Sequence, residues 1–270
     1  LSYDELLDWV GYFTVEGTDD SDTLLGTALS DEIYGGDGND ILAGGAGGYW
    51  GDYLVGGSGD DTYLFNKGDG EVSISDYLEP GIGNVLQFGP EITPGDIQRH
   101  LRFNYESGND PESGSWSWGE LIIAFDNGDI IYLDGFNRDD VDNSPRSVDT
   151  FRFDDGTTLS FAELVRMTFV VEGNTMDNSL IGTNLGDRLY GHEGNDTLNS
   201  GSGDDVLTGG IGDDQLFGNT GRDTYVFNLG DGNDSIIDSA EAGTGNRMLF
   251  GPGISVNDVT FALEGTTLTV

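Results

Sequence analysis

The 270-residue sequence predicts an all-β chain in which two repetitive arrays are separated by a strand-rich spacer. Three observations lead there. Short turns share one spelling, glycine-rich and then an aspartate followed two residues later by an aliphatic or aromatic residue, as in GGDGNDILA (35–43), GGSGDDTYL (56–64) and GGIGDDQLF (209–217). That spelling recurs every nine residues, which marks stacked repeats rather than a helix or a polar tail. Fifty Asp and Glu against ten Lys and Arg, with 45 glycines, give a formal charge of −40 and little apolar surface for an ordinary core.

The elements follow in order. Residues 1–15 carry Ser2 and Glu5, spaced as a capping box, and read as a short helix ending a preceding unit. The first array, 16–77, starts turns at Gly17, Gly26, Gly35, Gly44 and Gly56, with Asp22, Asp31, Asp40, Asp52 and Asp61 at the sixth positions. Tyr49, Trp50 and Gly51 are inserted ahead of Asp52, either as a bulge packed on the array or as an aromatic contact patch. The eighth positions, Leu24, Ile33, Leu42, Leu54 and Tyr63, are apolar and are expected to stack inside.

Residues 78–168 change pattern to alternating strands at Leu101, Glu120, Asp129 and Thr150. ELIIAF-DNG-DIIYL reads as a hairpin around Asn127-Gly128, FDDGTTL as a tight turn, and Ser160 with Glu163 as the cap of a short helix ending near Arg166. This region is expected to be an antiparallel β-rich spacer or cap. The second array, 169–239, starts turns at Gly173, Gly182, Gly191, Ser200, Gly209 and Gly218, with a further turn from Leu229. Its sixth positions are Asn178, Asp187, Asp196, Asp205, Asp214, Asp223 and Asp234, and its eighth positions run Leu180, Leu189, Leu198, Leu207, Leu216 and Tyr225.

A larger repeat encloses both arrays. YLFNKGDGEVSISD from Tyr63 aligns with YVFNLGDGNDSIID from Tyr225, an offset of 225 − 63 = 162, and the same offset carries Phe88-Gly89-Pro90 onto Phe250-Gly251-Pro252. Residues 240–270 then read as the start of a further spacer. The chain is expected to be a piece of a longer tandem array, so a missing leader sequence carries no information.

The turn spelling resembles the RTX (haemolysin-type calcium-binding) family of secreted proteins. The resemblance implies two calcium-bound parallel β-rolls, β-helix-like, in which each coil takes two nonapeptides and a calcium sits between turn n and turn n+2. The earlier turn would give the carbonyls of its second and fourth positions and its aspartate. The later turn would give the carbonyls of its first and third positions and its own aspartate. Six hard oxygens of this kind suit calcium, whose tolerance of irregular geometry magnesium does not share.

On this chain the scheme offers Thr18, Asp20 and Asp22 with Gly35, Asp37 and Asp40. It offers Thr27, Leu29 and Asp31 with Gly44, Ala46 and Asp52, then Gly36, Gly38 and Asp40 with Gly56, Ser58 and Asp61. In the second array Thr183, Leu185 and Asp187 meet Ser200, Ser202 and Asp205, and His192, Gly194 and Asp196 meet Gly209, Ile211 and Asp214. Gly201, Gly203 and Asp205 meet Gly218, Thr220 and Asp223, and Gly210, Gly212 and Asp214 meet Leu229, Asp231 and Asp234. A weaker site joins Asn178 to Asp196 with Gly191 and Glu193, an amide replacing one carboxylate. The total is about eight calcium ions, in a range of about seven to nine. Val72 stands where the second array has Asp234, so a site joining Gly57, Gly59 and Asp61 to Asp69 lacks a carboxylate.

The expected function is a calcium-binding structural module of a secreted, extracellular or cell-surface RTX protein. Without cations the carboxylates repel, so folding energy becomes largely binding energy. Sites of extracellular type bind calcium at about 10⁻⁴–10⁻³ M, and the chain is expected to fold on reaching it outside the cell. The resemblance implies export by type I secretion machinery, with calcium and neighbouring repeat units of the chain as partners and a monomeric state. The parent is left open among a toxin, a protease, an adhesin and a carbohydrate-active enzyme such as an epimerase.

Other classes fare worse. There is no cysteine, so neither disulfides nor thiolate metal sites are available. No apolar stretch approaches the roughly 20 residues of a membrane span, and nucleic acid is disfavoured by the charge. His100 and His192 have no nucleophile or ligand spacing around them, and repetition of carboxylates argues for ligation rather than acid–base catalysis, so no enzymatic role is expected. A different class stays open through Trp116 and Trp118, which could form an aromatic glycan- or protein-binding patch or else cover the spacer's own core.

Overall fold

The computed structural model describes residues 12–47, 50–76, 83–98, 101–110, 114–167, 169–238 and 245–259, with two short strands beyond. It forms two compact units, Leu1–Met167 and Thr168–Val270. Each is a β-solenoid with an all-β core.

In the first unit β1 (Phe13–Glu16), β2 (Thr23–Leu25), β3 (Asp31–Asp37), β4 (Ile41–Ala43), β5 (Asp52–Ser58), β6 (Thr62–Phe65), β7 (Glu71–Ile74) and β8 (Val85–Phe88) alternate between two parallel sheets. Phe13 pairs with Asp31 and Thr23 with Ile41, each 18 residues on, so one coil consumes two nonapeptides. The strands are short because each lies between glycine turns. The eighth-position side chain of each repeat points inward, and Ile33, Leu42, Leu54 and Tyr63 are fully buried while Leu24, on the first coil, is half-buried. Burying such a side chain is worth about 1.5–3 kcal/mol.

The spacer comprises α1 (Pro94–Gln98), β9 (Leu101–Asp110), β10 (Gly114–Ala124), β11 (Ile130–Asp134), β12 (Thr150–Arg152), β13 (Thr158–Ser160) and α2 (Phe161–Val165). β9, β10 and β11 are antiparallel neighbours, the hairpin turning where Gly128 takes φ 94° and the Phe125 N–H donates to the Asp129 carbonyl at 2.9 Å. β12 and β13 are antiparallel across the 153–157 turn. The spacer also continues the roll. β11 joins β7 in parallel, Ile130 opposite Glu71, and β12 joins β8, Thr150 opposite Val85. Phe65 stacks on Phe125 at 5.6 Å and Phe88 on Phe153 at 5.1 Å, so the roll's interior runs on into the spacer.

The Ser160 capping box forms as spaced, Ser160 Oγ accepting from the Glu163 N–H at 3.2 Å and Glu163 Oε2 accepting from the Ser160 N–H at 2.8 Å. α1 was not foreseen, although Thr93 ahead of Pro94 and Asp96 spells a cap, and Asp96 Oδ2 accepts from the Thr93 N–H at 2.9 Å. The expected Ser2–Glu5 box, Tyr49 and His100 lie outside the described residues.

The second unit holds β14 (Phe169–Glu172), β15 (Ser179–Ile181), β16 (Asp187–Glu193), β17 (Thr197–Asn199), β18 (Val206–Ile211), β19 (Gln215–Asn219), β20 (Thr224–Phe227), β21 (Ser235–Asp238) and β22 (Arg247–Phe250). The even-numbered strands build one sheet and β15, β17, β19 and β21 the other, joined side by side in parallel. Leu180, Leu189, Leu198, Leu207, Leu216 and Tyr225 make one buried column. β23 (Ala262–Glu264) and β24 (Thr267–Thr269) form an antiparallel pair. Among the described residues no helix is long and apolar enough to cross a membrane.

Candidate metal centre

The turns stack at two edges of each roll. A methyl placed on Gly36 would strike the Thr18 carbonyl, one on Gly57 the Gly36 carbonyl, one on Gly201 the Thr183 carbonyl and one on Gly210 the His192 carbonyl. Second-position carbonyls of the earlier turn therefore face the later turn. Methyls on Gly59 and Gly212 would strike the fourth-position carbonyls of Gly38 and Gly194 in the same sense. First-position carbonyls face the other way: methyls on Gly17, Gly26, Gly35, Gly182 and Gly191 would meet the carbonyls of Gly35, Gly44, Gly56, Ser200 and Gly209. Third-position carbonyls also turn back, Ser58 accepting from Gly38 at 2.8 Å, Ile211 from Gly194 at 2.9 Å and Thr220 from Gly203 at 2.8 Å. Only glycine fits here, because Gly36, at φ 109°, combines left-handed backbone with a carbonyl at its Cα.

The sixth-position aspartates run through these stacks as ladders. The N–H of Asp22 donates to Asp40 Oδ1 at 2.8 Å, and that of Asp40 to Asp61 Oδ1 at 2.8 Å. Asn178, Asp196, Asp214 and Asp234 are linked in the same way at 2.7, 2.7 and 3.1 Å. Asp187, Asp205 and Asp223 follow at 2.7 and 3.1 Å. Asn178 thus occupies the carboxylate's place, its Oδ1 accepting from the Asn174 N–H at 2.7 Å. Asp52 keeps its place too despite the insertion, since its Oδ1 accepts from Asp31 at 2.9 Å.

One stacking expectation needs correction. The turn of Asp69 does not lie on that of Asp61. It lies on the turn from Gly44, with the Gly47 N–H donating to the Asp69 carbonyl at 3.3 Å and Asp52 opposite Val72, because alternate turns share an edge. Val72 still leaves that pair one carboxylate short.

In nine of these aspartates one carboxylate oxygen accepts, from the ladder or, in Asp31 and Asp187, from Thr27 and Thr183, and the other lies in a dry place. Oδ2 of Asp40, Asp52, Asp61, Asp196, Asp205, Asp214 and Asp223, and Oδ1 of Asp31 and Asp187, are buried without a hydrogen-bond partner. An orphaned buried acceptor costs about 1–3 kcal/mol, more when charged. Burial drives the Asp205 carboxyl up to about 8, and Asp52 and Asp187 to about 7. Asp61, Asp214 and Asp223 rise to about 6, again chiefly through burial, with neighbouring aspartates adding to it. Rows of buried anionic oxygens without partners, flanked by converging carbonyls, fit a hard divalent cation. Among the described residues no three Asp, Glu, His or Cys side chains converge, as expected where each site has only two carboxylates and backbone supplies the rest.

Two features escaped the sequence reading. Fifth-position side chains form a second ladder of opposite sense. The N–H of Asn39 donates to Ser21 Oγ at 3.0 Å and that of Asp60 to Asn39 Oδ1 at 3.0 Å. Asn195 to Asp177 and Asp213 to Asn195, both at 2.8 Å, repeat it in the second unit. Its signal was the run of Asp, Asn and Ser at that position. The other is Asp129, whose carboxylate accepts from the N–H groups of Gly68 at 2.7 Å and Gly70 at 3.2 Å and so seals the last turn of the first array. Asp231 is largely buried and its Oδ2 accepts from the Asn228 N–H at 2.6 Å. The His192 ring lies flat beside Tyr190, 6.5 Å between centroids, while its carbonyl faces Gly210. Trp50 is 63 % exposed, and its N–H donates to Ser30 Oγ at 3.0 Å.

The family model for the RTX calcium-binding nonapeptide repeat (4 copies) matches residues 16–49, 51–72, 172–207, 190–225 and 201–236, which are the two arrays. Among solved structures, the crystal structure of the extracellular lipase LipA from Serratia marcescens is similar at 18 % identity and a TM-score of 0.28, over 93 % of this chain and 39 % of that one. This chain therefore spans well under half of that protein's length. No curated protein matches.

Proposed function

From two arrays of RTX calcium-binding nonapeptide repeats, we infer a structural module that calcium folds once it leaves the cell. The rows of buried carboxylate oxygens without partners carry this reading. Asp22 to Asp61, Asp31 with Asp52, Asn178 to Asp234 and Asp187 to Asp223 are the rungs that would hold about eight ions, with the facing carbonyls completing each shell. Bound calcium would supply positive charge between carboxylates that otherwise repel. A formal charge of −40 opposes compaction at low cytosolic calcium, which suits passage through a type I exporter as an unfolded chain. Millimolar calcium outside would then wind the rolls. We divide the chain into rolls at 16–77 and 169–239, a spacer at 78–168, and flanking pieces at 1–15 and 240–270. The module is a monomeric scaffold rather than a catalyst.

Circular dichroism during calcium titration tests this, with magnesium as the control. The expected result is a coil spectrum in chelator and a cooperative gain of β signal near millimolar calcium. An equal response to magnesium, or native signal in chelator, would overturn it.

A second reading rests on Trp50, held out from the first roll by the insertion. It favours a carbohydrate- or protein-binding surface of an adhesin or carbohydrate-active enzyme. Glycan-array binding abolished by Trp50→Ala would support it, and unchanged or absent binding would remove it.

A further inference from the structure

Both arrays end in the same arrangement, built from an eighth-position tyrosine and two residues beyond the nonapeptides. On the edge carrying Asp22, Asp40 and Asp61, no nonapeptide follows Asp61. Asn84 Oδ1 instead accepts the Asp61 N–H at 2.8 Å, as the next aspartate would. In the second unit Asn246 Oδ1 does so for Asp223 at 2.9 Å. The next turn's first carbonyl is replaced as well. A methyl on Gly35 would meet the Gly56 carbonyl, but one on Gly56 would meet Tyr63 Oη, and one on Gly218 would meet Tyr225 Oη. The third member is Asp76, matched by Asp238 at the 162-residue offset. Asp76 Oδ2 accepts from the Tyr63 hydroxyl and from the Asn84 amide at 3.0 Å, and Asp238 Oδ2 accepts from Tyr225 and Asn246. Side chains thus rebuild the oxygens of a missing turn.

The rebuilt turn leaves charge uncompensated. Asp61 and Asp223 are fully buried, and the Oδ2 of each has no hydrogen-bond partner. In the second unit Asp238 Oδ1 is likewise buried without one. A methyl on Gly218 would touch both Asp223 Oδ2 and Asp238 Oδ2, so one small ion can reach both carboxylates. The tyrosine and asparagine donors fill Oδ2 of Asp238 and leave Oδ1 for a cation. The tyrosine and asparagine donors to the second carboxylate recur at Asp76 in the first unit.

We propose that each array closes on an additional calcium site, between Asp61 and Asp76 in the first unit and between Asp223 and Asp238 in the second. Tyr63 with Asn84, and Tyr225 with Asn246, are the positioning residues that hold the second carboxylate of each site. The proposal rests on the calcium-binding reading of the arrays.

Crystals of the unmodified protein grown with strontium in place of calcium test it through anomalous scattering. Peaks between Asp61 and Asp76 and between Asp223 and Asp238, beside those of the nonapeptide turns, are expected. Filled nonapeptide sites with neither terminal peak would overturn this proposal alone, whereas no peak anywhere would overturn the calcium reading and this with it. In solution, equilibrium dialysis of the double variant Asp76→Asn, Asp238→Asn should show two fewer calcium ions per chain with the β signal retained. A folded double variant with an undiminished count would also overturn it. If that variant does not fold, the strontium crystals decide.

Discussion

The Asp31 N–H reaches Asp52 Oδ1 at 2.9 Å across 21 residues, where the uninterrupted repeat links Asp22 to Asp40 across 18. Of the inserted residues Trp50 is exposed and Gly51 is buried, and the carboxylate keeps its rung. Strand register, fixed by Glu32 opposite Tyr53 and Ile33 opposite Leu54, decides where the aspartate stands. Position in space is conserved where position in sequence is not.

Asp40→Asn should therefore weaken calcium-driven folding most, while Asp52→Asn and Asp22→Asn, each at the end of a ladder, should do less. Asp40 both accepts from Asp22 and donates to Asp61, so two stacked pairs depend on it. A lost charged ligand of this kind is worth about 1–3 kcal/mol, a rise in the calcium midpoint of about 5- to 150-fold. Parallel calcium titrations of the three variants check the order.

Acidity should substitute in part for calcium. Burial raises Asp205 to about 8, Asp52 and Asp187 to about 7, and Asp61, Asp214 and Asp223 to about 6, from an ordinary 3.8. A raised carboxyl favours the folded chain below its unfolded value, and that contribution is lost as pH climbs through the folded one. The calcium-free chain should thus gain β signal near pH 4 and lose it between about pH 6 and 8. Calcium needs the ionised form, so its midpoint should rise as pH falls from 8 to 5. Dichroism against pH in metal-free buffer, and calcium titration at each pH, measure both trends.

Two glycines with similar backbone separate strain from stacking. Gly36 and Gly156 take φ 109° and 87°, but a methyl on Gly36 would strike the Thr18 carbonyl while one on Gly156 meets nothing within 4 Å. Gly156→Ala should cost about 1 kcal/mol from the backbone alone. Gly36→Ala should cost several times that and raise the calcium midpoint. Urea melts at saturating calcium would compare them, and equal losses would contradict the stacking account.

Asp129→Ala should loosen the spacer from the first roll. Its carboxylate closes the Gly68 and Gly70 N–H groups from about 60 residues away, a charge-assisted contact worth about 1.5–3 kcal/mol. The variant should keep its ion count but melt earlier, read by calcium dialysis beside thermal dichroism. Loss of an ion with the melt would place Asp129 among the ligands.

The coil could be read from the sequence because one interval governs everything in it. Leu42, Leu54 and Leu198 fall at eighth positions and are all fully buried. The Ser160 cap and the Asn127-Gly128 hairpin were equally legible, since each depends only on near neighbours. What escaped depends on contacts between distant segments. Nothing local marks Asp129 as the seal of Gly68 and Gly70, or Asn84 as the successor of Asp61. The fifth-position ladder was hidden differently, because Asn39 and Asp60 look like solvated turn residues until the coil brings them together.

The parallel seam between β11 and β7 has a kinetic consequence. Coils of the roll close over 18 residues, whereas Ile130 must find Glu71 across 59, at a higher cost in chain entropy. The roll should therefore nucleate first and wind coil by coil, and its last strand then becomes the template on which the spacer zips. Pulse-labelled hydrogen exchange during refolding should find amides of β3 and β5 protected ahead of those in β11.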